Sequence, residues 1–103
     1  MASTNAPPTS APNDAELAAA IFRAINIPDK IIEIVAANRN QAAAAVCLLL
    51  NEHWFQSAEI GKKICAITND LDIIRTTAEW IKKFPFSSVA DLRWADEHLA
   101  TEK

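Results

Sequence analysis

Two thiols and two imidazoles, Cys47, Cys65, His53 and His98, are the side chains of this chain best suited to chemistry. A cysteine nucleophile needs a histidine folded against it. A structural zinc site needs about four Cys, His or carboxylate ligands at short spacings. Neither pattern is present. Cys47 and His53 fall in one helical stretch, at a spacing that sets them on nearly opposite faces. Cys65 and His98 are remote singles. The carboxylates Asp70/Asp72 and Asp96/Glu97 are adjacent or two apart, so they do not converge on one helical face and read as solvated. A phosphate-cradling loop needs several glycines in one turn, and Gly61 is the one glycine of the sequence. The expectation is a non-catalytic protein with no cofactor and no metal. His53 is expected at a helix end, near carbonyls that favour a partial positive charge, and His98 in solvent. Both cysteines lie in apolar helical stretches and read as buried free thiols. A disulfide between them and a reactive thiol are the alternatives.

The elements that must position these residues follow from composition. The chain has 103 residues, room for one domain and one core, and half of them are hydrophobic. A single glycine argues against an all-β domain with its many tight turns. Abundant alanine argues for helices. The formal charge of −3 gives no strongly basic field for nucleic acid or anionic lipid, though a local patch could still meet DNA. No charged and apolar leader is visible at the N-terminus. The apolar run "AAAAVCLLL", residues 42–50, falls far below the ~20 residues that a bilayer requires. A soluble, cytoplasmic protein is expected, without membrane contact.

Residues 1–13, "MASTNAPPTSAPN", hold three prolines and no charged side chain, and read as a disordered tail. Residues 14–101 read as a single domain, an all-α compact bundle of five or six helices. Asn13 with Glu16 forms a capping-box pattern before a helix over 14–25 with Leu17, Ile21, Ala24 and Ile25 on its apolar stripe. Pro28 fits the first turn of a second helix running to about 37, with Ile31, Ile34 and Val35 inward. "NRN" breaks it. A third helix over 41–53 is apolar almost all round and should be the central one. Ser57 reads as the cap of a fourth helix with Ile60, Ile64 and Ile67. Asn69 or Asp70 caps a fifth, with one stripe of Leu71, Ile74, Ala78 and Ile81 and another of Ile73, Thr77, Trp80 and Phe84. Glu79 and Lys83 are spaced to pair on its surface, and Pro85 ends it. Ser88 with Asp91 opens a sixth helix carrying Leu92, Ala95 and Leu99.

Two resemblances overlie this pattern. Residues 57–76, "SAEIGKKICAITNDLDIIRT", resemble a helix-turn-helix unit, with Ile60, Gly61, Ile64, Leu71 and Ile74 at its apolar and small positions. With the preceding helix, residues 40–84 are similar to part of a winged-helix domain. The resemblance implies a DNA-binding regulator. It would turn Thr68, Asn69, Ile73 and Thr76 toward bases, and Lys62, Lys63 and Arg75 toward phosphates. The sequence departs from that pattern in Cys65, which stands where the turn glycine is usual, and in Asp72, which would face the nucleic acid at an electrostatic cost. "IFRAINIPDKIIEIVAANRN" followed by "CLLLNEHW" is similar to the second to fourth helices of the death-fold six-helix bundle, which implies assembly with its own kind.

The aromatic side chains carry the remaining signal. Most aromatics of a small domain belong to its core or core rim. Here a central helix apolar all round and a fifth helix with two apolar stripes offer more apolar surface than one core of this size covers. The surplus marks a partner site. Trp54, Phe55, Trp80, Phe84, Phe86 and Trp94 are the expected interface residues. The first expected function is a small adaptor or regulatory module acting through protein–protein or homo-oligomeric contacts, and the alternative is helix-turn-helix DNA binding.

Overall fold

The computed structural model describes residues 13–100. The expected tail at 1–12 and the last residues, 101–103, lie outside the described residues. Six α-helices follow one another: α1 (Asp14–Arg23), α2 (Pro28–Ala37), α3 (Arg39–His53), α4 (Ser57–Thr68), α5 (Leu71–Lys83) and α6 (Val89–Ala100). A single 3-10 turn, Trp54–Gln56, joins α3 to α4. The architecture is the expected all-α bundle. No described helix is long and apolar enough to cross a membrane.

Local chemistry sets most boundaries. The capping box forms in full: Asn13 Oδ1 accepts from the Glu16 amide at 2.8 Å, and Glu16 Oε1 accepts from the Asn13 amide at 3.1 Å. Pro28 occupies the first turn of α2, where a missing N–H costs nothing. The break before α3 is narrower than the three residues "NRN". Asn38 alone leaves the helical region, and its amide Nδ2 donates to the Ile34 carbonyl at 2.9 Å, closing α2. Arg39 and Asn40 already belong to α3. Ser57 is not a cap. Its backbone is helical, and the wholly buried side chain donates to the Leu50 carbonyl at the end of the neighbouring helix. The 3-10 turn ahead of it removes the extended backbone that a capping residue needs. Asp70 does cap α5, accepting from the amides of Asp72 and Ile73 at 2.9 and 3.1 Å. Ser88 Oγ accepts from the Asp91 amide at 3.0 Å and opens α6.

Helix α3 packs against α1, α4 and α5, with Ala42, Ala45, Val46, Leu49 and Leu50 buried. It is central, but not enclosed on every side. Ala44 and Leu48 are exposed, and Cys47 is half-buried, which corrects its expected burial. The two stripes of α5 merge into one inward face of Ile73, Ile74, Thr77, Ala78 and Ile81. Leu71, expected inside, begins the helix in solvent at 66% exposure. Beneath this face Gly61 lets α4 approach α5. A Cβ there would sit 2.6 Å from Thr77 Cγ2. Helix α6 covers the far end of α5 with Ala95, Leu92 and Leu99, and ion pairs Lys62–Asp91 (2.6 Å) and Lys82–Asp96 tie it to α4 and α5.

Candidate functional site: an aromatic cleft between α3 and α5

Helices α3 and α5 run side by side in the same direction. Arg39 reaches Asp70 at 3.8 Å at their first turns. At their other ends the Trp80 indole Nε1 donates to Asn51 Oδ1 at 2.8 Å, and Trp54 meets Phe84 with ring centroids 6.0 Å apart. Between them lies a cleft of about 580 Å³. Its floor is the outer face of α3, where Ala43, Cys47 and Asn51 recur every four residues beside Ala44. One wall is α5, through Thr76, Glu79, Trp80 and Lys83. The far wall is aromatic, built from Trp54 and the segment Phe84-Pro85-Phe86.

Phe84 is the centre of that wall. It stacks on Trp80 at 4.7 Å and 19°, and meets Phe55 and Phe86 edge-on at 5.6 and 5.7 Å. Such pairs contribute ~0.5–1.5 kcal/mol each beyond burial, so the cluster is a held surface. It is also a wet one: Trp54, Phe55 and Phe86 are 56%, 71% and 62% exposed. Trp54 pays for its place in the backbone. Its φ of 45° and ψ of −100° lie outside the regions that L-residues favour.

Five of the six expected interface aromatics therefore meet in one cluster. Trp94 does not. It packs between the two core clusters and stacks on His98 at 4.1 Å. Its helix, α6, lies across α5 from the cleft floor's helix, so sequence proximity to Phe86 did not bring it in. The cleft floor was absent from the expected set. The recurrence of small side chains at 43, 47 and 51 was the signal that could have found it.

The residues of the helix-turn-helix resemblance separate. Ile73, expected toward bases, is wholly buried in the core, because the α5 cap at Asp70 turns it inward. Thr76 faces the α3–α5 cleft. Thr68 Oγ1 donates to the Ile64 carbonyl at 2.9 Å. Asn69 is exposed and supplies the turn itself, with φ 49° and ψ 35°, so the left-handed position is Asn69 and not Cys65. Lys62 is engaged with Asp91, Lys63 Nζ donates to Asn26 Oδ1 at 2.9 Å, and Arg75 is 3.8 Å from Asp72.

The candidate reactive groups also stay apart. His53 stacks on Phe22 at 4.3 Å, away from the cleft that Cys47 lines. His98 lies within hydrogen-bond distance of the Trp94 carbonyl, at 2.8 Å, and is half-buried, not solvated. Cys65 is buried, its Sγ 3.5 Å from Thr77 Oγ1, and burial pushes its thiol up to about 11. Both cysteines are free. Among the described residues no group of three or more His, Cys, Asp or Glu side chains is placed to hold a metal. The chain matches no family model, no curated protein and no solved structure with which it was compared.

Proposed function

We propose that the protein is a non-catalytic interaction module, of adaptor or regulatory kind, that docks a protein partner in the α3–α5 cleft. Trp54 carries the reading. A bulky residue at its backbone angles costs of order 1–3 kcal/mol, and a side chain still 56% exposed recovers little of that by burial. Glycine would hold the same turn without the cost. A strained, half-exposed tryptophan at the edge of an apolar cleft fits a docking role better than a folding role. The neighbouring Phe55 and Phe86 add exposed aromatic area of the kind that dominates binding energy at interfaces. Asn51, Thr76, Glu79 and Lys83 supply polar groups around it for orientation. The alternative, helix-turn-helix contact with DNA, loses Ile73 from its base-facing set.

The test is selection from a displayed peptide library on the purified protein. Peptides with apolar or aromatic anchors are expected, binding about tenfold or more weakly to Phe86→Ala. Trp54→Gly is expected to bind equally poorly while melting no lower than the unsubstituted protein. No selected binder, or binders indifferent to both substitutions, would remove the reading.

A further inference from the structure

Glu79 and Lys83 stand one helical turn apart on the α5 wall, both exposed. They do not form the pair their spacing suggests. Among the described residues, the ion pairs given to α5 side chains are Arg75–Asp72 at 3.8 Å and Lys82–Asp96. The rim of the cleft thus carries one acidic and one basic group with no partner of their own.

We propose that the partner seated on this cleft is a second copy of the chain, joined about a two-fold axis with the two α5 helices antiparallel. The proposal rests on the docking reading and names its occupant. A two-fold interface must be complementary to itself. This face is so in charge: antiparallel α5 helices sharing an axis at the level of Ile81 set each Glu79 opposite Lys83 of the second copy. It is so in shape as well. The face holds both a concavity, of about 580 Å³, and a ridge beside it, Phe55 and Phe86, standing 71% and 62% exposed. Rotation about the axis lays each ridge over the other copy's cleft. The stacked Trp80–Phe84 pair flanks the axis, so the centre is apolar and the opposed charges form the rim. Interfaces concentrate their binding energy in such a centre and draw register from such a rim.

Sedimentation equilibrium of the full chain over a range of concentrations reads the result. The unsubstituted protein is expected to dimerise reversibly. Lys83→Glu sets like charges opposite each other twice per dimer and is expected to weaken association about tenfold or more. The exchange Glu79→Lys with Lys83→Glu restores opposed charges and is expected to recover association to within about threefold. Both positions are exposed, and circular dichroism melts of the dilute proteins check that the fold is kept. A protein monomeric at every concentration overturns the proposal, as does a dimer indifferent to Lys83→Glu. Failure of the double exchange to recover association overturns the antiparallel register. A monomer that still binds selected peptides in the cleft sinks the dimer while leaving the docking reading standing. Loss of peptide binding and dimer together sinks both.

Discussion

A single methyl group added at Gly61 probes the packing that holds the α5 wall of the cleft. Two effects oppose each other. Alanine in a helix interior is about 1 kcal/mol better than glycine. Against that, the new Cβ would lie 2.6 Å from Thr77 Cγ2, and 3.1 Å from both Leu50 Cδ2 and Thr77 Oγ1. The first contact falls about 1 Å short of the ordinary carbon–carbon separation of roughly 3.5–4.0 Å. Thr77 is wholly buried and approached by the Cys65 thiol at 3.5 Å, and Leu50 is wholly buried too. Neither can swing into solvent. Relief must come from α4 and α5 moving apart, and such overpacking costs about 1–3 kcal/mol. The clash outweighs the propensity, so Gly61→Ala should lose roughly 1–2 kcal/mol. Melting should fall by about 5–10 °C. Urea unfolding followed by tryptophan fluorescence measures this. Thr77→Ser removes Cγ2 and keeps the hydroxyl, so Gly61→Ala with Thr77→Ser should be more stable than the two separate losses predict, by about 1 kcal/mol. A Gly61→Ala protein as stable as the parent, or a pair of substitutions that simply add, would refute the close approach.

Alkaline pH should unfold the chain through Cys65. Its thiol is raised from 9.0 to about 11, chiefly by burial, with the charge of Asp70 adding to the rise and the hydrogen bond with Thr77 opposing it. Between those values the unfolded chain has lost the proton that the folded chain keeps. Stability is then complete below about pH 9 and falls by about 2–3 kcal/mol as pH climbs to about 11, a loss that Cys65→Ala should lack. Thiol labelling should separate the cysteines: Cys47 in the cleft reacts in the native protein and Cys65 only on unfolding, and a bulky adduct on Cys47 should block peptide binding. Mixed-sequence duplex DNA titrated at low salt should not bind. Binding with a steep salt slope, lost on Lys62→Glu with Lys63→Glu, would instead favour the helix-turn-helix alternative.

Much of the fold was legible because its boundaries are local. Asn13 with Glu16, Pro28, Asp70 and Ser88 act through neighbours two or three residues away, and sequence reports such neighbours directly. Ser57 was misread because its partner, the Leu50 carbonyl, arrives only when a 3-10 turn folds α4 back on α3. Leu71 was misread because apolar spacing cannot say where a helix outruns the core it covers. The site was half legible. Trp54–Phe55 follows α3 and Phe84-Pro85-Phe86 follows α5, and their meeting depends on those two helices running in parallel. That is a tertiary fact with no local signature. For the same reason "AAAAVCLLL" could not declare that its Ala43–Cys47 side would floor an open cleft while Ala42, Ala45, Val46 and Leu49 entered the core. Ile73 fell into the wrong set because a helix-turn-helix register was laid over α5 without knowing how the helix is rotated.

The most direct measurement uses the three tryptophans as reporters. Two of them, Trp54 and Trp80, line the cleft, and Trp94 is packed beneath α6 beside His98. Indole ¹H–¹⁵N signals would be followed as a selected peptide is titrated into dilute protein. Docking in the cleft should move the Trp54 and Trp80 signals together along one saturable curve and leave Trp94 in place. Movement of Trp94 alone, or saturable binding that leaves all three indoles unmoved, would contradict it.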